Sequence, residues 1–525
     1  MLVTILVCLL ILYYIVDAII AWRKLRHFPG PFLASFSLLW LFRVALSGKA
    51  YKIRMALRHR YGEGMLIRIS PDMLITDDPG IFQRINGVHN GYNRGDWYSV
   101  MRFDPYQHTM ISSTDTAFHD DVKARMAAGY TGREVPAMEC EIDEQIANLK
   151  SLFERKYLST DSVVKPMDWG LVAQYFTLDA LTKVAFGDAF GYLETDSDVY
   201  EYIKTVEDST LYFALCSDIP WIGKILTSRL VLRLAGPSVS DRTGLGVTMA
   251  VAKQVVSARF DGNPEALIQQ DMLASPIPLS GKKRGSFIRH GLPRRQCEAE
   301  LPTQLVAGSD TTANFLRTAL LFIATIPHVY HRLQNEIDDA ISSGQISNPA
   351  TNVEAKKLSY LQAFLLESLR FSPPISLLFP KVVPAKGDIL ESKSVPGGTK
   401  IAVDFWSMGR RTDIYGQDAM AFRPERFLDA TPEKRAVMER TTDLMFGYGR
   451  YMCPGKAMAW LEMNKLFIEV SICGSMICIS CAKAVVKLLR DFDFQVLDPE
   501  MPLTRSHHAL FVVRNMRMRV TKRCK

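Results

Sequence analysis

The chain has 525 residues, 48% of them hydrophobic and 22% charged, with 32 Gly and 26 Pro. That excludes a disordered, collagen-like or low-complexity protein, none of which carries this apolar content. Sixty-three basic against 55 acidic residues leave a net charge of only +8, too dilute for a nucleic-acid binder, which concentrates charge on one face. Nine cysteines are too sparse for a disulfide scaffold and suit a reducing compartment.

Residues 2–22 are apolar apart from Thr4 and Asp17 and hold no Lys or Arg. As a helix they span about 31 Å, the thickness of a bilayer's hydrocarbon core. The cluster Arg23, Lys24, Arg26 and His27 follows, and the positive-inside rule then puts the downstream chain in the cytosol. A cleaved signal peptide is the rival reading, but Met1-Leu2-Val3 lacks the charge such a segment needs. Phe28-Pro29-Gly30-Pro31 stops the helix and stiffens the exit. The expected organisation is a transmembrane anchor over 1–27, a Pro-rich hinge over 28–45 and one large domain over 46–525.

Length alone suggests roughly three domains, yet we find no second spanning segment, repeat or linker. Helical periodicity marks 139–153, 179–186, 300–324, 328–341 and 357–371; extended runs mark 65–69, 73–76, 400–404 and 509–514. Residues 261–295, with Lys282-Lys283-Arg284, read as a long surface connection. The fold class is mainly α with small β-sheets.

Four constellations carry chemistry. Phe446-Gly447-Tyr448-Gly449-Arg450-Tyr451-Met452-Cys453-Pro454-Gly455 places a lone cysteine in a glycine-punctuated loop before an amphipathic run. Backbone N–H groups and a helix N-terminus there favour a thiolate, a strong axial donor to haem iron. Alone, the loop does not defeat the far commoner reading, a buried structural cysteine. Ala307-Gly308-Ser309-Asp310-Thr311-Thr312 puts polar groups in mid-helix. They could open the helix for oxygen and supply protons, or Thr could simply bond back to its own helix. Glu367-Ser368-Leu369-Arg370 is an (i, i+3) acid–base pair, and Phe422-Arg423-Pro424-Glu425-Arg426-Phe427 is a second charged motif. Isolated, either is an ordinary surface ion pair.

In this order, behind an anchor and a Pro-rich hinge, the four motifs resemble the microsomal cytochrome P-450 superfamily from the anchor to the chain's end. Tyr92-Asn93-Arg94-Gly95-Asp96-Trp97-Tyr98, Ala128-Gly129-Tyr130-Thr131-Gly132-Arg133-Glu134 and Gly285-Ser286-Phe287-Ile288-Arg289 are similar to the fungal pisatin-demethylase-like branch.

The resemblance implies a cytochrome P-450 fold, with haem b between a long distal helix and the helix after the Cys loop. Cys453 would be the axial ligand of the haem iron. Asp310 and Thr311 would be the acid–alcohol pair that passes protons during oxygen activation. Glu367, Arg370 and Arg426 would form a buried ion network beneath the haem. His119 and Lys123 occupy the place of the family's Trp-x-x-x-Arg propionate contacts, both substituted here, and Arg450 would add a cofactor contact. Tyr451 stands where the family usually has Arg. Pro302, within the presumed distal helix, implies a kink or a helix start near it. The substrate pocket would draw on Trp97, Phe103, Leu305, Val306, Ala307, Ile375, Leu377, Leu378 and Leu510.

The implied activity is monooxygenation of a lipophilic small molecule, by hydroxylation or oxidative demethylation, in fungal secondary metabolism. No Gly-rich dinucleotide fingerprint occurs, so electrons would come from NADPH through a separate flavoprotein, an NADPH-cytochrome reductase, with cytochrome b5 as a further donor. The implied location is the endoplasmic reticulum membrane, single-pass, facing the cytosol. Two alternatives are a haem-thiolate isomerase or dehydratase and a non-catalytic haem-binding membrane protein; the intact Asp310-Thr311 pair argues against both.

Residues 470–487 interrupt this pattern. Relatives of the branch run from a sequence like Leu466-Phe467-Ile468-Glu469 directly into one like Leu488-Leu489-Arg490-Asp491. Val470-Ser471 can be encoded by GTGAGT, a splice donor, so the segment reads either as translated intron or as a real insertion. Its Cys473, Cys478 and Cys481 lack a fourth ligand at zinc-like spacing.

Overall fold

The helix Arg294–Thr325, 32 residues long, carries much of the interior. Residues 312–320 are all buried and fall all round its circumference, as a fully enclosed helix requires. The computed structural model describes residues 2–133, 135–261, 271–273, 286–469 and 492–523. Residues 470–487, and most of the connection expected over 261–295, lie outside the described residues.

The long helix packs on Trp169–Phe186, Leu245–Phe260, Ser359–Phe371 and Lys456–Glu469. Trp169–Phe186 is itself buried at nearly every position. Gly308 explains the close approach of these two helices, because a Cβ there would lie 2.8 Å from Leu181 Cδ2. The long helix begins at Arg294, well before Pro302, and continues through that residue. Of the kink or helix start expected near Pro302, the helix start is not found: the proline is internal, and its missing N–H leaves the Glu298 carbonyl without its helical donor.

A five-stranded sheet takes the order Ile67–Ser70, Met73–Thr76, Lys400–Val403, Lys381–Val382, Asn93–Arg94. Its edge pairs are antiparallel, while Met73–Thr76 and Lys400–Val403 run parallel. In the last pair Arg94 stands directly opposite Lys381. A hairpin, Thr504–His507 with Phe511–Arg514, ends in a turn that includes Ala509 and Leu510.

Leu2–Leu25 is one 24-residue helix, with Leu6, Leu9, Leu12 and Tyr13 exposed. Among the described residues no helix is long and apolar enough to cross a membrane. The side chains at 1–3, 7, 10 and 11 lie outside the described set, and the expected anchor falls partly on them. Arg68 ties the last turns down through the carbonyls of Ala21 and Trp22, at 3.0 and 3.3 Å. The expected hinge carries the helix Leu39–Leu46, which buries Leu41, Val44 and Ala45.

Candidate active site

The loop at 446–455 is shaped by its glycines. Gly449 has φ +60°, and a Cβ there would lie 2.4 Å from the Asn86 carbonyl oxygen, so only glycine fits. The Cys453 N–H donates to the Phe446 carbonyl at 2.7 Å. The backbone N–H groups of Gly455 and Lys456, at the start of the helix Lys456–Glu469, donate to the Cys453 sulfur. Burial pushes the thiol up; these N–H groups and the Lys123 and Lys456 ammonium groups pull it back down. Cys453 nonetheless stays exposed on one side. An accessible sulfur that accepts from the start of a helix, with cations nearby, has the donor chemistry of a metal ligand.

Beside it stands a group of basic side chains. Lys381 is 2% exposed, and its Nζ lies 3.3 Å from the Tyr451 ring centroid. The Arg94 guanidinium lies 4.3 Å from the same ring, and the His119 ring 4.8 Å away. Lys123 donates to the carbonyls of Arg450 and Met452 at 2.7 and 2.8 Å. Burial and the Arg94 charge hold Lys381 well below the usual ammonium range. Burial, with Arg94 next, holds His119 down at about 4, so its ring is neutral at pH 7. Asp120, which also faces Arg94, already serves His119 at 2.9 Å and Arg450 at 3.4 Å. Two cations opposite one another across a strand pair repel, and burial makes the repulsion costly. An anionic group beside them would offset that repulsion. The donor set suits a haem: one sulfur for the iron, basic side chains for its carboxylates, and apolar surroundings for its ring.

Ala307 and Thr311 line a largely apolar cavity with Phe103, Val306, Ile375, Leu377 and Leu510. Of the residues expected in the pocket, Trp97, Leu305 and Leu378 do not line it. Trp97 is packed inside with its indole N–H on Asp218 at 3.0 Å, and Leu305 and Leu378 are buried in core clusters. Leu305 is one residue from Val306, and a step of one helical residue turns the side chain toward a different neighbour. Missed by the sequence reading are Ile111, Val206, Thr210, Phe213, Thr303 and Phe379.

The Thr311 hydroxyl donates to the Ala307 carbonyl at 2.9 Å, the back-bonded arrangement that was the alternative reading of this motif. Asp310 is not part of the cavity wall. It faces Arg317 and Gln174, which are joined to each other at 2.8 Å. Burial raises its carboxyl to about 7, against the downward pull of Arg317 and Gln174. Next along, Thr312 meets the buried Glu462 of the cysteine helix, whose carboxyl burial raises to about 8. Gly308 serves helix packing rather than an opened helix.

Glu367, Arg370 and Arg426 do come together, all buried. Arg370 reaches Glu367 at 2.7 and 2.5 Å, and Arg426 Nε lies 3.1 Å from both carboxylate oxygens. Their remaining N–H groups take the carbonyls of Gly409, Tyr415, Asp418, Ala419 and Ala421. Asp418 adds its carboxylate to Arg426 at 2.9 Å.

A family profile described as Cytochrome P-450 matches residues 27–470. Among curated proteins, Cytochrome P-450 monooxygenase ABA1 of Pyricularia oryzae is 40% identical over 97% of this chain and 95% of that protein. Cytochrome P-450 monooxygenase aba1 of Botryotinia fuckeliana is 40% identical over 95% and 92%. Cytochrome P-450 monooxygenase abl1 of Leptosphaeria maculans is 38% identical over 88% and 80%.

Proposed function

The chain belongs to the cytochrome P-450 family, and on that premise we propose that it is a haem-thiolate monooxygenase for a lipophilic small molecule of fungal secondary metabolism. The observation that carries this reading is Cys453, held by the N–H groups of Gly455 and Lys456 yet exposed. Bound haem supplies the oxygen chemistry, placing one atom of O₂ into a substrate C–H bond. Cys453 would hold its iron, and Arg94, Lys381, Lys123 and His119 would hold its carboxylates, with Arg450 acting through Asp120.

The chain's own residues do the rest. The apolar cavity above Ala307 orients the substrate and excludes water. Thr311 holds a hydroxyl at the cavity wall, where a proton is needed. Asp310, with its carboxyl at about 7, can hold or release that proton near neutral pH, while Gln174 and Arg317, joined to each other, hold its carboxyl in place. Glu367, Arg370 and Arg426 keep residues 409–426 in place. Electrons would arrive from NADPH through a separate reductase, with cytochrome b5 as a further donor. Membrane attachment through 1–27, at the endoplasmic reticulum, is supported by the exposed apolar side chains of Leu2–Leu25 and by Trp221, Ile225, Leu230 and Leu234, also exposed.

Cys453→Ala tests the reading. The variant is expected to lose the thiolate band in a carbon monoxide difference spectrum of the reduced protein. A band like that of the unaltered chain would overturn the assignment.

A further inference from the structure

Residues 107–110 are tied to the first turns of the long helix. The Met110 N–H donates to Glu300 Oε1 at 2.7 Å. Gln296 Nε2 donates to the same oxygen at 2.8 Å and to the His108 carbonyl at 2.9 Å. Gln107 Nε2 in turn donates to Gln296 Oε1 at 2.9 Å. From the opposite side the Arg94 guanidinium donates to the Met110 carbonyl at 2.7 Å. Met110 is therefore held by both of its polar backbone groups, its N–H by the long helix and its C=O by a member of the basic group near Cys453. Ile111, the next residue, lines the apolar cavity.

Glu300 is 3% exposed. Burial raises its carboxyl to about 7, against the downward pull of the Met110 and Gln296 bonds. Either protonation form keeps an oxygen that accepts from Met110. Glu300 precedes Ala307 of the cavity wall by seven residues, about two helical turns, so the two lie on one face about 10 Å apart.

We infer that Glu300 is a positioning residue for substrate selection: by holding the Met110 N–H it fixes the turn that carries Ile111 into the cavity wall. It touches no substrate itself. Without its oxygen the Met110 N–H lacks an acceptor, and the turn must shift to find one. Ile111 moves with it, and the wall loses its fit to a long apolar chain. This rests on the haem-thiolate reading of Cys453 and adds how the chain sets the shape of its cavity.

The test uses the full-length haem-loaded chain, first checked for its thiolate band with carbon monoxide. Absence of that band in the unaltered chain would count against the haem-thiolate reading rather than against Glu300. Imidazole and 1-dodecylimidazole, which ligate iron through the same ring nitrogen and differ by an apolar chain, are then titrated while the haem spectrum is followed. The unaltered chain is expected to bind the long probe more tightly. Glu300→Leu should weaken the long probe about five- to tenfold and leave imidazole unchanged. Glu300→Gln, whose amide oxygen still accepts from Met110, should bind both probes as the unaltered chain does. Should Glu300→Leu take up no haem, Gln296→Leu, which frees the His108 carbonyl, decides by the same two probes. Four outcomes overturn the inference: no preference for the long probe in the unaltered chain, long-probe affinity unmoved by the leucine variant, equal weakening of both probes, or Glu300→Gln as impaired as Glu300→Leu.

Discussion

Arg426 places its Nε 3.1 Å from each carboxylate oxygen of Glu367, across 59 residues of chain. Glu367 also takes Arg370 and the Arg423 backbone N–H at 2.7 Å, so one buried carboxylate organises two guanidinium groups and a loop. Neither residue has meaningful solvent access. Such a site is worth little as a surface pair and much once enclosed, because removing one partner strands a buried charge.

Glu367→Gln is accordingly expected to destabilise the protein by about 3–5 kcal/mol, with Arg370 and Arg426 left uncompensated. Denaturant unfolding would measure the loss, and haem content by pyridine haemochrome would fall with it. A variant with ordinary stability and full haem would sink the role given to this network.

Lys381 and Arg94 predict opposite signs for two measurements. Lys381→Met removes a buried cation that faces another cation across the strand pair, so the haem-free chain should be at least as stable as the unaltered one. Haem affinity should fall about 10- to 100-fold, the size of a lost charge-assisted hydrogen bond. Transfer of haem to apomyoglobin gives the affinity, and thermal melts of the haem-free chain give the stability. If both fall together, Lys381 is a structural residue and not a haem contact.

These two cations show where sequence reading stops. Cys453 and the Glu367 pair are legible because their signals are local: a glycine-flanked cysteine, and an acid three residues before an arginine. Residues 94 and 381 meet only through sheet register, which depends on strand partners far apart in sequence. A signal did exist in Lys381, a lysine between Pro380 and the run Val382-Val383. The pocket failed differently. Leu305 and Val306 are equally apolar, and only the packing of Trp169–Phe186 decides which one reaches the cavity.

Asp310 predicts a pH dependence. Its carboxyl sits near 7 rather than at the ordinary 3.8 because burial disfavours the charged form. Between those values the folded chain binds more protons than the unfolded one, so this group's contribution to stability is present at low pH and is lost as pH rises through 7. The proton-bearing form declines over the same range. The share of NADPH electrons recovered in product should therefore fall above pH 7, with hydrogen peroxide rising in step. Asp310→Asn should flatten that pH profile, and Thr311→Ala should raise peroxide at every pH while haem is retained. A profile for Asp310→Asn that matches the unaltered chain would remove Asp310 from proton delivery.

The last prediction concerns 470–487. The helix Lys456–Glu469 ends, and the family match stops at residue 470, where this stretch begins; the strand Phe492–Val496 resumes after it. Joining Glu469 to Leu488 would give Leu466-Phe467-Ile468-Glu469-Leu488-Leu489-Arg490-Asp491, apolar at helical spacing before its charges. The junction would follow the helix that starts three residues after Cys453, so extra chain there acts on the element whose first N–H groups hold the Cys453 sulfur. A chain lacking 470–487 is expected to take up haem at least as well as the full chain, read as the thiolate band per unit protein. The mature transcript is expected to lack the matching codons. Transcripts that retain them, together with poorer haem uptake by the shortened chain, would establish the segment as a genuine insertion that this enzyme needs.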